Sequence, residues 1–222
     1  MKAYQFYIQL EHVEPTVWRR FVIPAETTFK RLHDTIQFVM GWHDSHLFEF
    51  DIEKESNPRR LEIVEDEEMY EQHQSDKRRL LMNLDVEVEN EYEKRANERL
   101  MKTEMRLAAK TKLPKYVEEF PEFIYRYDYG DDWLHHIRLE KVDLDYEVGH
   151  PILLEGEGVC PPEDVGGPGG YQHFLEAWNN PSHEEHEGMR EWGEGVYSKA
   201  LDISHINKLM KELLKLKKVK VE

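Results

Sequence analysis

The stretch YQFYIQLEHVEPTVWRRFVI, Tyr4–Ile23, decides the fold. Within it Tyr4, Phe6, Ile8 and Leu10 alternate with Gln5, Tyr7 and Gln9, the period-2 pattern of a strand with one buried face. His12 to Pro15 interrupts the pattern, and Val17 to Ile23 is a second β-rich run stopped by Pro24, so the two runs read as an antiparallel hairpin. Arg19 and Arg20 are neighbours inside the second run. Successive side chains on a strand point to opposite faces, so at least one of them faces outward.

Moving outward from the hairpin, Thr27 and Thr28 offer N-caps for a helix in which Phe29, Leu32, Ile36, Val39 and Met40 share a face, and Gly41 supplies its C-terminal stop. In WHDSHLFEFDI (42–52), His46, Phe48 and Phe50 alternate with Leu47, Glu49 and Asp51 and predict a third strand, giving the order β-β-α-β. FIYRYDYGDDWLHHIRLE (123–140) reads as a second hairpin turning at Tyr129–Asp132. Ile152–Leu154 is a short strand leading into GEGVCPPEDVGGPGGYQHFL (156–175). Its prolines and glycines dictate a shaped loop, after which Tyr171, Phe174, Leu175 and Trp178 follow helical spacing. A last amphipathic helix carries Ile203, Ile206, Leu209, Met210 and Leu213. The expected fold class is α+β, with a mixed, mostly antiparallel curved sheet and packed C-terminal helices.

The segment from Glu53 to about Glu119 differs in kind, being dense in Glu, Lys and Arg. It reads as a charged, largely helical insertion at about 54–119 within a single domain spanning 1–222. Tyr92, Ala96, Leu100 and Leu107 suggest one long, thinly amphipathic helix there, read as a solvated arm in preference to a partner-binding surface.

The formal net charge of −16, from 30 Lys and Arg against 46 Asp and Glu, disfavours general binding to nucleic-acid backbones. The one basic run, Lys208 to Lys220, is read as complementing a helix C-terminus. A single cysteine forms no internal disulfide and fits a reducing compartment. The first fifteen residues do not read as a signal peptide, and no apolar run approaches the roughly 20 residues that span a bilayer. The expectation is a cytoplasmic protein with no membrane partner.

Candidate chemistry gathers at the second hairpin and the loop. Asp128, Asp131, Asp132, His135 and His136 crowd one turn, although adjacent strand histidines face opposite ways and only one can join a site. His43-x-x-His46 lacks the helical spacing and intervening Glu of a zinc protease, and His183 and His186 read as surface residues in an acidic segment. Cys160 would need a lowered pKa to act as a nucleophile, and the neighbouring Glu163 and Asp164 oppose that. The glycine run matches neither a Walker A loop nor a dinucleotide fingerprint. No organic cofactor is expected. A divalent metal could be drawn from His46, Asp131, His135, Cys160 and Glu163, hard cations favouring the carboxylates and zinc the His and Cys.

Four blocks together resemble the plasmid pRi open-reading-frame-three-like family: Tyr4 to Ile23 with its WRR, Gly41-Trp42 followed by SHLFEF, YDYGDDWLHHIRLE, and GEGVCPPEDVGGPGGY running into FL. Cys160–Asp164 matches that family's Cys-Pro-Pro-Glu-Asp in full, while Asp128-Tyr129-Gly130-Asp131 departs from its usual Asp-Phe-Gly-Asp. The resemblance implies an α+β fold whose N-terminal hairpin, helix and strand look β-grasp-like. Members are often labelled TnpR-like resolvase or transposon passenger protein, but the first serine here is Ser45, without the N-terminal setting of a serine recombinase. His135-x-x-Arg138 matches only a fragment of a tyrosine recombinase site.

Two readings follow. The first is a non-enzymatic binding or interaction module for a protein or small molecule, with a cleft between the YDYGDDW hairpin and the CPPEDVGG loop. Its candidate residues are His46, Asp128, Asp131, Trp133, His135, Cys160, Glu163, Asp164 and Tyr171. The second is a metal-dependent hydrolase using the same His, Asp, Cys and Glu cluster.

Overall fold

The computed structural model describes residues 1–53, 60–82, 90–197 and 200–215. Strands β1 (Ala3–Leu10) and β2 (Val17–Pro24) form the expected antiparallel hairpin, with Tyr4 opposite Ile23 and Leu10 opposite Val17. Tyr4, Phe6, Ile8 and Leu10 face the core, as do Val17, Phe21 and Ile23. Arg20 is the outward arginine, and it pairs with Glu140 and Glu155. Arg19 shares the inward face.

Helix α1 (Phe29–Met40) starts where Thr28 Oγ1 accepts a hydrogen bond from the Arg31 N–H and stops at Gly41, whose φ of +89° suits glycine. Strand β3 (Phe48–Glu53) begins two residues later than the alternation from His46 suggests. The turn before it is held by Asp44, in left-handed conformation with its N–H on Gln37 Oε1, and by the Ser45 N–H on Tyr127 Oη. His46 is therefore a turn residue.

The charged segment contributes β4 (Arg60–Val64), α2 (Glu67–Met82), α3 (Glu91–Lys102) and β5 (Thr103–Leu107). Neither helix has a buried residue, whereas Leu61, Ile63, Met105 and Leu107 on the strands are buried. Leu107 thus packs from a strand, not from a long helix; β4 and β5 run parallel, which requires a crossover, and α2 and α3 lie in it. Then follow β6 (Glu122–Tyr127), β7 (Trp133–Asp143), β8 (Ile152–Glu157), α4 (Gly167–Asn179), α5 (His186–Gly193) and α6 (Ile203–Leu213). Lys217, Lys218 and Lys220 of the basic run lie outside the described residues.

Among the described residues, eight strands form one sheet in the order β5-β4-β3-β6-β7-β1-β2-β8, antiparallel except for β4 with β5. The second hairpin lies between β1 and β3, so the N-terminal hairpin and β3 are not neighbours. Helix α1 covers β3 and β6: the Phe29 ring meets Phe50 at 5.1 Å and Phe123 at 6.2 Å. Two histidines are buried in this layer. His33 stacks on Phe48 at 3.7 Å and bridges Tyr125 Oη (2.8 Å) and Asp44 Oδ1 (2.6 Å). His135 lies against Trp42 and Tyr125, and neither of its ring nitrogens makes a hydrogen bond of good geometry.

The 156–175 loop packs against the second hairpin. Asp131 Oδ2 accepts from the Gly166 N–H (3.1 Å), Tyr127 Oη donates to Glu163 Oε1 (2.5 Å), and Trp42 Nε1 donates to the Pro161 carbonyl (2.9 Å). Gly167 has φ +69°, and a Cβ there would lie 2.5 Å from the Asp131 carbonyl oxygen. A Cβ at Gly169 would meet open space.

Two predictions follow from this packing. In urea unfolding, Gly167→Ala is expected to lose about 2–3 kcal/mol through left-handed strain plus overlap. Gly169→Ala, at an open helical position, is expected to gain about 0.5–1 kcal/mol; equal midpoints for the two variants would refute the close approach. The second prediction concerns acid. Burial, aided by Lys30, pushes His33 down to about 4 despite Asp44, and burial pushes His135 down to about 3. Both bind a proton in the unfolded chain near 6.5 but resist it when folded, so their stabilisation is complete above that pH and is lost as pH falls toward 4 and 3. Each contributes about 1.4 kcal/mol per pH unit in that window. His135→Phe should therefore lose about 2 kcal/mol less than wild type between pH 7 and pH 5, read from urea midpoints.

Candidate ligand-binding site

The turn between β6 and β7 is built by its aspartates. Asp128 has φ +58°, a conformation Asp tolerates because its side chain serves the local backbone: Oδ1 accepts from the Gly130 N–H (2.8 Å). The Asp128 N–H donates to the Leu47 carbonyl (3.0 Å), which ties this turn to the residues beside His46. Asp164 in the loop is also left-handed, with φ +60°. His46 sets its ring edge-on to Tyr127 and brings Nε2 to 3.2 Å from Asp164 Oδ1 and 3.6 Å from Asp128 Oδ2.

The fold thus brings His46, Asp128 and Asp164 together and gives the other candidates separate tasks. Asp131 caps the loop through Gly166, and Trp133 is buried against Trp42. His135 is in the core, as its strand parity with Trp133 and Ile137 requires. Glu163 accepts from Tyr127 and meets His43 Nδ1 at 3.0 Å. Tyr171 is buried and donates to the Val159 carbonyl (2.9 Å). Cys160 packs beside the core, and burial pushes its thiol up to about 12, with Arg19 opposing and Glu163 reinforcing the shift. Of the five residues expected to supply a metal, only His46 is in the converging group; Asp131, His135, Cys160 and Glu163 are not.

The loop packs onto the second hairpin through Asp131 with Gly166 and Tyr127 with Glu163. A cleft of about 500 Å³ borders the loop, lined by loop residues but by none of the second hairpin. Its walls include Met40, Trp42, Cys160, Leu201 and Ile206, and Arg19 lines it as well. Arg19 is 2% exposed. Its Nε donates to the Val39 carbonyl (2.8 Å), Nη1 to the Trp18 (2.8 Å) and Glu157 (2.7 Å) carbonyls, and Nη2 to the Gly158 carbonyl (3.1 Å). Among the described residues no carboxylate pairs with it. Burial lowers its pKa from the ordinary arginine value, yet a guanidinium stays charged in proteins. Sequence reasoning missed this residue, although its parity with Val17 and Phe21 was there to be read.

The plasmid pRiA4b ORF-3-like protein family matches residues 2–207. Uncharacterized protein y4hQ of Sinorhizobium fredii is 36% identical over 208 residues, covering 93% of this chain and 89% of the relative. The crystal structure of the protein of unknown function MM3350 from Methanosarcina mazei Go1 superposes with a TM-score of 0.66 at 28% identity, covering 90% of this chain and 96% of the other. Similarity over nearly the full length of both relatives, together with the family match, leads to one assignment: this chain belongs to the plasmid pRiA4b ORF-3-like family.

Proposed function

We propose that the protein is a non-enzymatic binding module whose ligand is a small molecule with an apolar body and one anionic group, held in the cleft lined by Arg19. The observation that carries this reading is Arg19 itself: a buried cation whose hydrogen bonds, among the described residues, all go to neutral carbonyl oxygens. Carbonyl dipoles offset the cost of burying the charge but leave its sign uncancelled, so a carboxylate or phosphate group entering the cleft is attracted.

The cleft volume falls in the range of small-molecule sites, roughly 300–1,000 Å³, and Val39, Met40, Trp42 and Leu201 provide an apolar wall. Glu163, Asp164 and Asp202 also line it and oppose a polyanion, which argues for a ligand with a single charged end. The non-enzymatic part of the reading is supported by the groups best suited to covalent or proton-transfer chemistry. Burial holds the Cys160 thiol protonated and His135 neutral at pH 7, the wrong states for a nucleophile and a proton donor.

The test is a ligand-observed NMR screen with small carboxylates and phosphates, repeated on Val196→Trp. Val196 lines the cleft and is 59% exposed, so the larger side chain fills the cleft without disturbing the core. Anionic hits should bind wild type and weaken by about tenfold or more in the variant, a loss of about 1.4 kcal/mol. Hits that bind the variant equally well, or none among the anions, would overturn the reading.

A further inference from the structure

A second arrangement, outside the proposed cleft but sharing Asp164 with its rim, has the chemistry of an ion site. The His46 side chain is 28% exposed, but its Nε2 is shielded and, among the described residues, makes no hydrogen bond, although it lies 3.2 Å from Asp164 Oδ1 and 3.6 Å from Asp128 Oδ2. One potential ligand atom from each of the three side chains lies within 4.8 Å of the other two. We propose that His46, Asp128 and Asp164 bind one divalent transition-metal ion, of the kind represented by Zn²⁺ or Mn²⁺.

The spacing favours an ion. Ligands about 2.1 Å from a tetrahedral centre stand about 3.4 Å apart, and the two distances from His46 Nε2 bracket that value. The donor set is one imidazole nitrogen and two carboxylates, a mixture suited to Zn²⁺ and Mn²⁺. Asp128 is itself held: Oδ1 is occupied by the Gly130 N–H, while Oδ2 is the oxygen turned to His46. The Asp164 side chain is 76% exposed, which leaves the outer side of the group open to water or a further ligand.

Two other groups of comparable composition are already satisfied. His33, with Asp34 and Asp44, has both ring nitrogens hydrogen-bonded, and Lys30 pairs with both carboxylates. His173 uses Nε2 on Glu185 at 2.5 Å in an exposed segment that also holds His183. Among these groups, His46 has the buried ring nitrogen without a hydrogen bond.

The test is calorimetric titration of chelator-treated full-length protein with ZnCl₂ and with MnCl₂, for wild type, Asp128→Asn, Asp164→Asn, His46→Gln and the double variant His173→Gln/His183→Gln. Asparagine tolerates the left-handed backbone at 128 and 164 and retains an oxygen for Gly130, so metal-free melting temperatures should match wild type. Wild type should take up one equivalent of at least one of the two ions, with affinity reduced by more than about tenfold in each variant at 46, 128 or 164 and unchanged in the His173/His183 variant. Val196→Trp should bind the ion as wild type does, which separates this site from the cleft. No saturable uptake of either ion, or uptake indifferent to residues 46, 128 and 164, would overturn the proposal.

Discussion

The structure depends on the burial of one aromatic face beneath a single helix. Phe29 of α1 sits on Phe50 and Phe123, and Phe48 and Tyr125 continue the layer. Each such side chain contributes about 1.5–3 kcal/mol when fully buried, so the layer accounts for more stabilisation than any ion pair on the surface. It also sets a condition on every polar group inside it. His33 meets the condition with two hydrogen bonds, and Arg19 with four carbonyl partners. His135 stays neutral without good partners, which disposes it to let the fold go in acid.

That layer ends at Trp42, and the loop begins there. The Trp42 ring stacks on Tyr127 at 4.9 Å while its Nε1–H reaches the Pro161 carbonyl. One side chain therefore joins α1, the second hairpin and the Cys-Pro-Pro segment. Tyr127 repeats the device with its hydroxyl, which accepts from the Ser45 N–H and donates to Glu163. The loop's course is set by these aromatic attachments as well as by its prolines and glycines. Cys160 is thereby packed beside the core at the cleft wall, where burial raises the pKa of its thiol.

Local patterns were legible in the sequence and distant ones were not. The first hairpin, the caps of α1 and the turn at Gly130 follow from residues adjacent in sequence. The insertion of β6 and β7 between β1 and β3 does not, because strand order is decided by pairing between elements far apart in the chain. Strands β4 and β5 were obscured for a related reason: RLEIV and TEMRL alternate over only five residues each and sit among charges that read as helix. At the site, His46, Asp128 and Asp164 could be named singly. Their convergence needed the Leu47 carbonyl to hold Asp128 and the Tyr127 hydroxyl to hold Glu163, next to Asp164. Arg19 was half-legible. The sequence says only that at least one of Arg19 and Arg20 faces outward; parity with Val17 and Phe21 points to Arg19 as the inward one, but the carbonyl cage is made by residues from three separate parts of the chain.

The loop's acidic pair places its charges on two sides. Glu163 turns toward Tyr127 and His43 while also lining the cleft; Asp164 turns toward His46 and lines it too. Both carboxylates therefore border the cleft near a buried arginine that has no carboxylate partner among the described residues. Had either reached Arg19, the ion pair would have closed the charge balance and left the cleft merely apolar. Tyr127 draws Glu163 away, and the left-handed backbone at Asp164 directs it to His46. Within the segment Cys160 to Asp164, neither acid hydrogen-bonds Arg19, and Asp164 is one ligand of the proposed ion site. A cation bound at His46 would neutralise Asp164 and so weaken its repulsion of an anion in the cleft, which couples the two proposed sites through one carboxylate.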